Sequence, residues 1–310
     1  MKKNIGFVVL GVALLFNSCA SASKKSNGVN NRENMSFIEK QLVSLEQLCT
    51  LHKEIQDIDK SLEKLGPVAV VENGFYFVFD LDQAGEKYEF RMEYPVEMEL
   101  PQSVRATFPL GFYGNKSAAV ITEDAFETLE GRITIFHEFV HCFQSEEGSW
   151  ELKMTLDSAR EAYENQNYQW ELNHPFPYTS EIFIIKTEEL DNDYNIGAYH
   201  KEMKAALSEK DFEYMIWQEW TEGYATYIEN LIRERLGVHT INIPLTLQGY
   251  ATYLENLARE TGVTIDPIHS FDRSVFYEIG NRYIAALIQN DAMLKGDIKT
   301  LFQKMINCEI

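Results

Sequence analysis

Ile133-Thr134-Ile135-Phe136-His137-Glu138-Phe139-Val140-His141-Cys142-Phe143-Gln144 carries two histidines four positions apart inside a run that is apolar on nearly every side. At 3.6 residues per turn, positions four apart stand above one another, so as a helix this stretch projects both imidazoles from one face and can offer them to a single ion. A helix that is apolar all round is buried. Burying two imidazoles and a carboxylate in that setting is costly unless something satisfies them, and a zinc ion with its water would do so. Glu138, one residue past the first histidine, is placed to reach such a water without being a ligand itself.

Working outward, the chain changes period on either side of this helix. Upstream, Phe37, Leu42, Leu45, Leu48, Leu51, Ile55, Ile58 and Leu62 recur at spacings of three to five, which predicts one or two amphipathic helices over residues 36–65, stopped at Gly66-Pro67. Tyr88, Phe90, Met92 and Tyr94 then alternate with charged residues, the period of a half-buried strand. Phe75 to Leu81 is a second strand, and the turn residues 82–86 between them predict an antiparallel hairpin. A further strand, Ser117 to Thr122, leads into the histidine helix. From about residue 123 onward the sequence reads almost entirely as helix, with stops at Gly148, Pro175-Phe176-Pro177, Gly237, Pro244, Gly262 and Pro267. Strands first and helices after, without βαβ alternation, predict an α+β fold. The expected division is an N-terminal helix with antiparallel strands over residues 36–115 and a mostly helical region over residues 116–310.

With 7 histidines in the chain, a chance His-Glu-x-x-His has a probability on the order of 0.02, so the pentapeptide does not decide the matter alone and a third ligand has to be found. A near route would use Gln144 and Glu147, but the glycine that such a tight turn needs is missing. A far route is Glu222 in Trp217-Gln-Glu-Trp220-Thr-Glu222-Gly223-Tyr224-Ala225-Thr-Tyr227, 81 residues after His141. Gly223 and Ala225 would let that segment lie close to the histidine helix, and Trp217, Trp220, Tyr224 and Ile228 give it an apolar face.

On these residues the chain resembles the gluzincins, the thermolysin-like superfamily of zinc metallopeptidases, many of which pair an HExxH helix with a later helix carrying a W-x-x-E-G-x-A-x-Y-like motif. The match runs from Trp220 through Tyr227, with the Trp two positions before the Glu instead of three, so that Glu219 can also be aligned with the ligand position. The resemblance covers roughly residues 116–230 and, more loosely, Phe276 to Leu287. It implies a zincin-like catalytic region with Zn2+ on His137, His141 and Glu222, Glu138 as general base, and a peptide or protein as substrate. It also implies a donor for the oxyanion. Tyr224, Tyr227, His269, Tyr277 and Tyr283 are the candidates, with Tyr277 preferred because Gly280 beside it permits close backbone approach. The strand Ser117 to Thr122 is expected to offer an edge to an extended peptide or to be ordinary sheet. Two rivals stand beside the peptidase: a non-catalytic envelope binding lipoprotein that retains the scaffold, and a hydrolase of another amide such as a cell-wall linkage.

Lys2 and Lys3 precede an apolar run from Ile5 to Phe16, 12 residues long and too short to span a bilayer, so residues 1–18 read as a signal peptide. Leu15-Phe-Asn-Ser-Cys19 resembles a bacterial lipobox ending at a lipidated Cys19, against ordinary cleavage after Ala22, and residues 19–35 read as a flexible tether. The expected location is the bacterial cell envelope, lipid-anchored, or else secreted or periplasmic. With 28 Lys+Arg against 48 Asp+Glu the net charge is −20, which argues against nucleic acid and against a basic membrane-binding face. Membrane attachment would come only through the lipid on Cys19. Cys49, Cys142 and Cys308 are too widely spaced for a zinc knuckle, and unlinked thiols are expected in preference to a Cys49–Cys308 bridge.

Overall fold

The computed structural model describes residues 36–98, 100, 103–191, 195–261 and 267–309, so the signal segment, Cys19 and the tether lie outside the described residues. The fold is α+β, with eleven α-helices and one five-stranded sheet among them. Helix α1 (Phe37–Ile55) starts at a reciprocal cap: Glu39 N–H donates to Ser36 Oγ, and Ser36 N–H donates to the Glu39 carboxylate at 2.8 Å. Its Leu45, Leu48 and Ile55 are fully buried.

Strands β1 (Val68–Glu72), β2 (Phe75–Leu81), β3 (Tyr88–Pro95), β4 (Arg105–Leu110) and β5 (Lys116–Thr122) form a sheet in the order β3-β2-β1-β5-β4. The expected β2–β3 hairpin is present and antiparallel. Two strands were not anticipated. β1 turns into β2 through Asn73-Gly74, both at positive φ (50° and 80°), the two-residue hairpin turn whose twist matches that of the strands it joins. β4 carries Pro109, which a sheet tolerates at its edge. β5 is not an edge, as it pairs in parallel with β1 on one side and antiparallel with β4 on the other. The edge next to the histidine helix is therefore β4. Segments 36–115 and 116–310 share this one sheet. Alternate residues serve two cores: Val68, Val70, Phe79, Ala119 and Ile121 join the main core with α1 and the helices, whereas Ala69, Val78, Ala106, Ala118 and Val120 form a second cluster.

After β5 the described residues contain helix and turn only: α2 (Leu129–Glu146), α3 (Ser149–Lys153), α4 (Asp157–Glu164), α5 (Trp170–Asn173), α6 (Glu181–Asp191), α7 (Ile196–Ala206), α8 (Glu209–Leu236), α9 (Leu247–Thr261), α10 (Pro267–Asn290) and α11 (Ile298–Ile306). Helix α2 is the buried histidine helix, laid on β4 and β5 on one side and on α8 on the other. Gly223 and Gly280 mark where α8 and α10 cross backbone to backbone. A Cβ on Gly223 would stand 2.4 Å from Gly280 Cα, and one on Gly280 would stand 2.0 Å from the Glu219 carbonyl oxygen. Gly223 thus serves contact with α10, not with α2 as its sequence context suggested. Cys49, Cys142 and Cys308 are all free, and Cys49 is only half-buried. No described helix is long and apolar enough to cross a membrane.

Candidate metal centre

Helices α2 and α8 bring His137, His141 and Glu222 together in the interior. His141 Nε2 is 3.2 Å from His137 Nε2, Glu222 Oε2 is 3.4 Å from His141 Nε2, and 3.7 Å separates Glu222 Oε2 from His137 Nε2. Ligands bound at about 2.0–2.1 Å with tetrahedral angles stand about 3.3 Å apart, so the triangle has the size of three corners of a zinc site. Four residues of spacing on α2 set the first distance, and the α2–α8 packing sets the other two.

The hydrogen bonds around the triangle decide what can fill it. His137 Nδ1 faces Glu229 Oε2 at 3.0 Å, and His141 Nδ1 faces Gln144 Oε1 at 2.8 Å. The Gln144 amide is oriented by its Nε2, which donates to the Thr221 and Trp220 carbonyls at 3.2 and 3.4 Å. Both partners of the Nδ1 atoms are acceptors, so each neutral ring carries its proton on Nδ1 and leaves Nε2 as a bare lone pair. Glu222 Oε2 is buried and has no hydrogen-bond partner. Three buried acceptors therefore converge with no donor among them, an arrangement that a cation at their centre would satisfy. The donor set fits a divalent metal with an affinity for imidazole and carboxylate.

Without a metal, protons take that place. Burial works against the His137 imidazolium, but the Glu222 and Glu229 carboxylates overcome it and raise its pKa to about 10. His141 is raised too, burial again opposing and Glu222 prevailing. For Glu222, burial favours the neutral acid, yet His141, His137 and Arg273 hold the carboxyl well below its ordinary range. Glu138 behaves oppositely: burial pushes its pKa up despite both histidines. It does not belong to the ligand triangle. Thr107 of β4 holds it, with Oγ1 2.9 Å from Glu138 Oε2 and 2.8 Å from the Glu138 carbonyl oxygen.

Further residues complete the centre without having been singled out in the sequence. Glu229 lies two turns after Glu222, on the same stripe of α8, and Arg233 holds its other oxygen at 2.9 Å. That i, i+7 spacing of acids was the one signal available for it. Arg273 Nη2 reaches Glu222 Oε1 at 3.4 Å. Of the tyrosines, Tyr277 stacks on His137 with ring centroids 6.3 Å apart and has its hydroxyl against Glu222. Tyr224 donates instead to Asp59 Oδ1 at 2.8 Å, Tyr227 lies on that same Asp59 side, and Tyr283 stacks on His200. The side chain of His269 lies outside the described residues. Glu147 pairs with Lys60 at 3.1 Å, so the near route to a third ligand is not taken. Glu219 is committed to His200 at 2.6 Å, which leaves Glu222 as the acid presented to the histidines.

Fold and site together define an α+β protein with a buried His-His-Glu cluster that could hold a metal ion. No protein family, curated protein or solved structure matches the chain.

Proposed function

We propose that the protein is a zinc-dependent hydrolase that cleaves peptide bonds, exported to the bacterial envelope and attached there by a lipid on Cys19. The observation that carries the catalytic part is the convergence of three donorless acceptors beside a fourth, separately held carboxylate. His137, His141 and Glu222 are the metal ligands. When bound, the metal supplies Lewis acidity to the scissile carbonyl and to the attacking water.

Everything else falls to the chain's own groups. Glu138 takes the proton from the attacking water and later delivers it to the leaving amine, and its raised pKa suits both tasks. Thr107 fixes the carboxyl that does this. Tyr277, beside His137 and Glu222, offers a hydroxyl donor at the reacting centre. Strand β4, which carries Thr107, ends the sheet, and an extended substrate would lie along it.

The test compares the full chain with its Glu138→Gln variant for zinc content and peptide hydrolysis. Both should hold about one zinc per chain, because Glu138 is not a ligand, and only the unsubstituted protein should cleave. Zinc in both without cleavage would favour a binding protein on this scaffold, and zinc in neither would remove the reading.

A further inference from the structure

Next to the metal triangle lies a second group of buried polar atoms that the hydrolytic chemistry does not use. Arg273 of α10 spends Nη2 on Gln218 Oε1 at 3.0 Å and on Glu222 Oε1 at 3.4 Å. Its Nε and Nη1 are closed to solvent and have no hydrogen-bond partner. Gln218, one turn before Glu222 on the same face of α8, has its amide oxygen turned to Arg273, and its Nε2 is likewise buried and unpartnered. Thr221 Oγ1, between Gln218 and Glu222 in the helix, is a fourth such atom. The orphaned nitrogens are all donors. Leaving buried donors unmatched is costly, and folded proteins seldom do so without a ligand or water to accept them.

Charge points the same way. The molecule carries a net −20, yet at this place a guanidinium sits beside the cluster with Glu222 as its near counter-ion. A divalent metal on Oε2 would draw on the same carboxylate, so that Arg273, which touches only Oε1 and that at 3.4 Å, keeps charge and donors that an incoming anion can match. Distance limits which anion. Arg273 Nη2 is 3.4 Å from one oxygen of the carboxylate whose other oxygen is a ligand, so guanidinium and metal are separated by no more than about 8 Å. An extended residue spans about 3.3–3.6 Å, so a single residue beyond the scissile bond brings its α-carboxylate to the guanidinium, and longer tails overshoot it.

We propose that Arg273 and Gln218 form a recognition site for a carboxylate, so that the substrate is a peptide whose free C-terminus lies one residue past the bond cleaved. This rests on the hydrolase reading for the word substrate, but the anion site itself is tested by binding. Acetyl-alanine and acetyl-phenylalanine, each as free acid and as amide, would be titrated calorimetrically into the zinc-loaded full chain and into its Glu138→Gln, Arg273→Met and Arg273→Lys variants, with zinc content measured for each.

The free acids should bind about 10- to 100-fold more tightly than the amides, in the unsubstituted chain and in Glu138→Gln alike. Arg273→Met should abolish that preference with its zinc intact, and Arg273→Lys should keep part of it. Equal binding of acid and amide, or an undiminished preference in Arg273→Met, would overturn the carboxylate site while the hydrolase reading stands on its own test. Loss of zinc from Arg273→Met would overturn it as well, by showing that the guanidinium serves Glu222 alone. A preference for acids that depends on Arg273, in a chain that hydrolyses nothing, would support the anion site and refute the hydrolase.

Discussion

Gln144→Leu removes the hydrogen bond that fixes the tautomer of His141, together with two to the α8 backbone, and its effect can be worked from the geometry. Gln144 Oε1 takes the Nδ1 proton of His141 at 2.8 Å, and this contact leaves Nε2 bare toward Glu222 Oε2. Leucine has nearly the same size and no acceptor, so the buried Nδ1–H would be left unmatched at a cost of about 1–3 kcal/mol. The ring then gains by taking its proton on Nε2, the atom that must be free to bind metal. Removing such an outer partner weakens metal affinity by about 10- to 100-fold, or about 1.4–2.7 kcal/mol, in agreement with the first figure. The metal-free protein also loses the bond from His141 Nδ1–H and those from Nε2 to the Trp220 and Thr221 carbonyls, so the variant is less stable without zinc as well, and the zinc-dependent part is read as the difference between unfolding with and without the metal. The assay is zinc competition against a chromophoric chelator, with denaturant unfolding at fixed excess zinc. Zinc-induced stabilisation should shrink by the same 1.4–2.7 kcal/mol, about. Ser145→Ala, on the exposed side of α2, serves as the control. A Gln144→Leu protein whose zinc affinity stays within about twofold of native would refute the account of how His141 is held.

Two further outcomes follow from other parts of the structure. Gly280→Ala should destabilise the protein by at least about 1–3 kcal/mol in denaturant unfolding, despite alanine's better helix propensity, because its Cβ would meet the Glu219 carbonyl oxygen at 2.0 Å; an unchanged midpoint would show that α8 and α10 can part freely. His52 is buried, with Nε2 2.6 Å from the Leu62 carbonyl oxygen, and burial, opposed by that carbonyl, lowers its pKa below the ordinary 6.5. A depressed histidine contributes stability above pH 6.5 that is lost as pH falls from 6.5 through the folded-state value, so His52→Gln should flatten that part of the stability profile relative to native, and coincident profiles would exclude His52 from it.

What the sequence disclosed followed local periodicity and little else. The four-residue spacing of His137 and His141 is a property of one helix, and the alternation at Tyr88–Pro95 a property of one strand, so both were legible. In Val68–Glu72 the first four residues are a continuous apolar run with a neighbour strand on each side, and such a run has no period of two to betray it. Its Asn73-Gly74 turn was the clue that went unused. Arg105–Leu110 hid behind Pro109, which ordinarily argues against a strand. At the site, Glu222 was reached through a motif and Gln144 stands three residues after His141 in the same helix, whereas Arg273 and the orientation of the Gln144 amide depend on how α10 and α2 meet α8, a matter of packing that no window of sequence contains.

The acids of α8 show why Glu222 is the one that a metal would take. Glu219, Glu222 and Glu229 are all buried, and each faces a histidine. At Glu219 the partner is His200, whose Nδ1 is 2.8 Å from the Ile196 carbonyl oxygen, so its Nε2 and the carboxylate Oε2 2.6 Å away need one proton between them and that pair is then matched, while Glu219 Oε1 stays buried without a partner and away from the two site histidines. At Glu229 the partner presents Nδ1–H, a donor already in place, and Arg233 takes the other oxygen. Glu222 alone faces two imidazoles whose protons are committed elsewhere, and a single proton cannot serve three lone pairs that point at one centre. Glu229 and Gln144, which turn the two rings, would therefore decide where a metal binds as much as Glu222 itself.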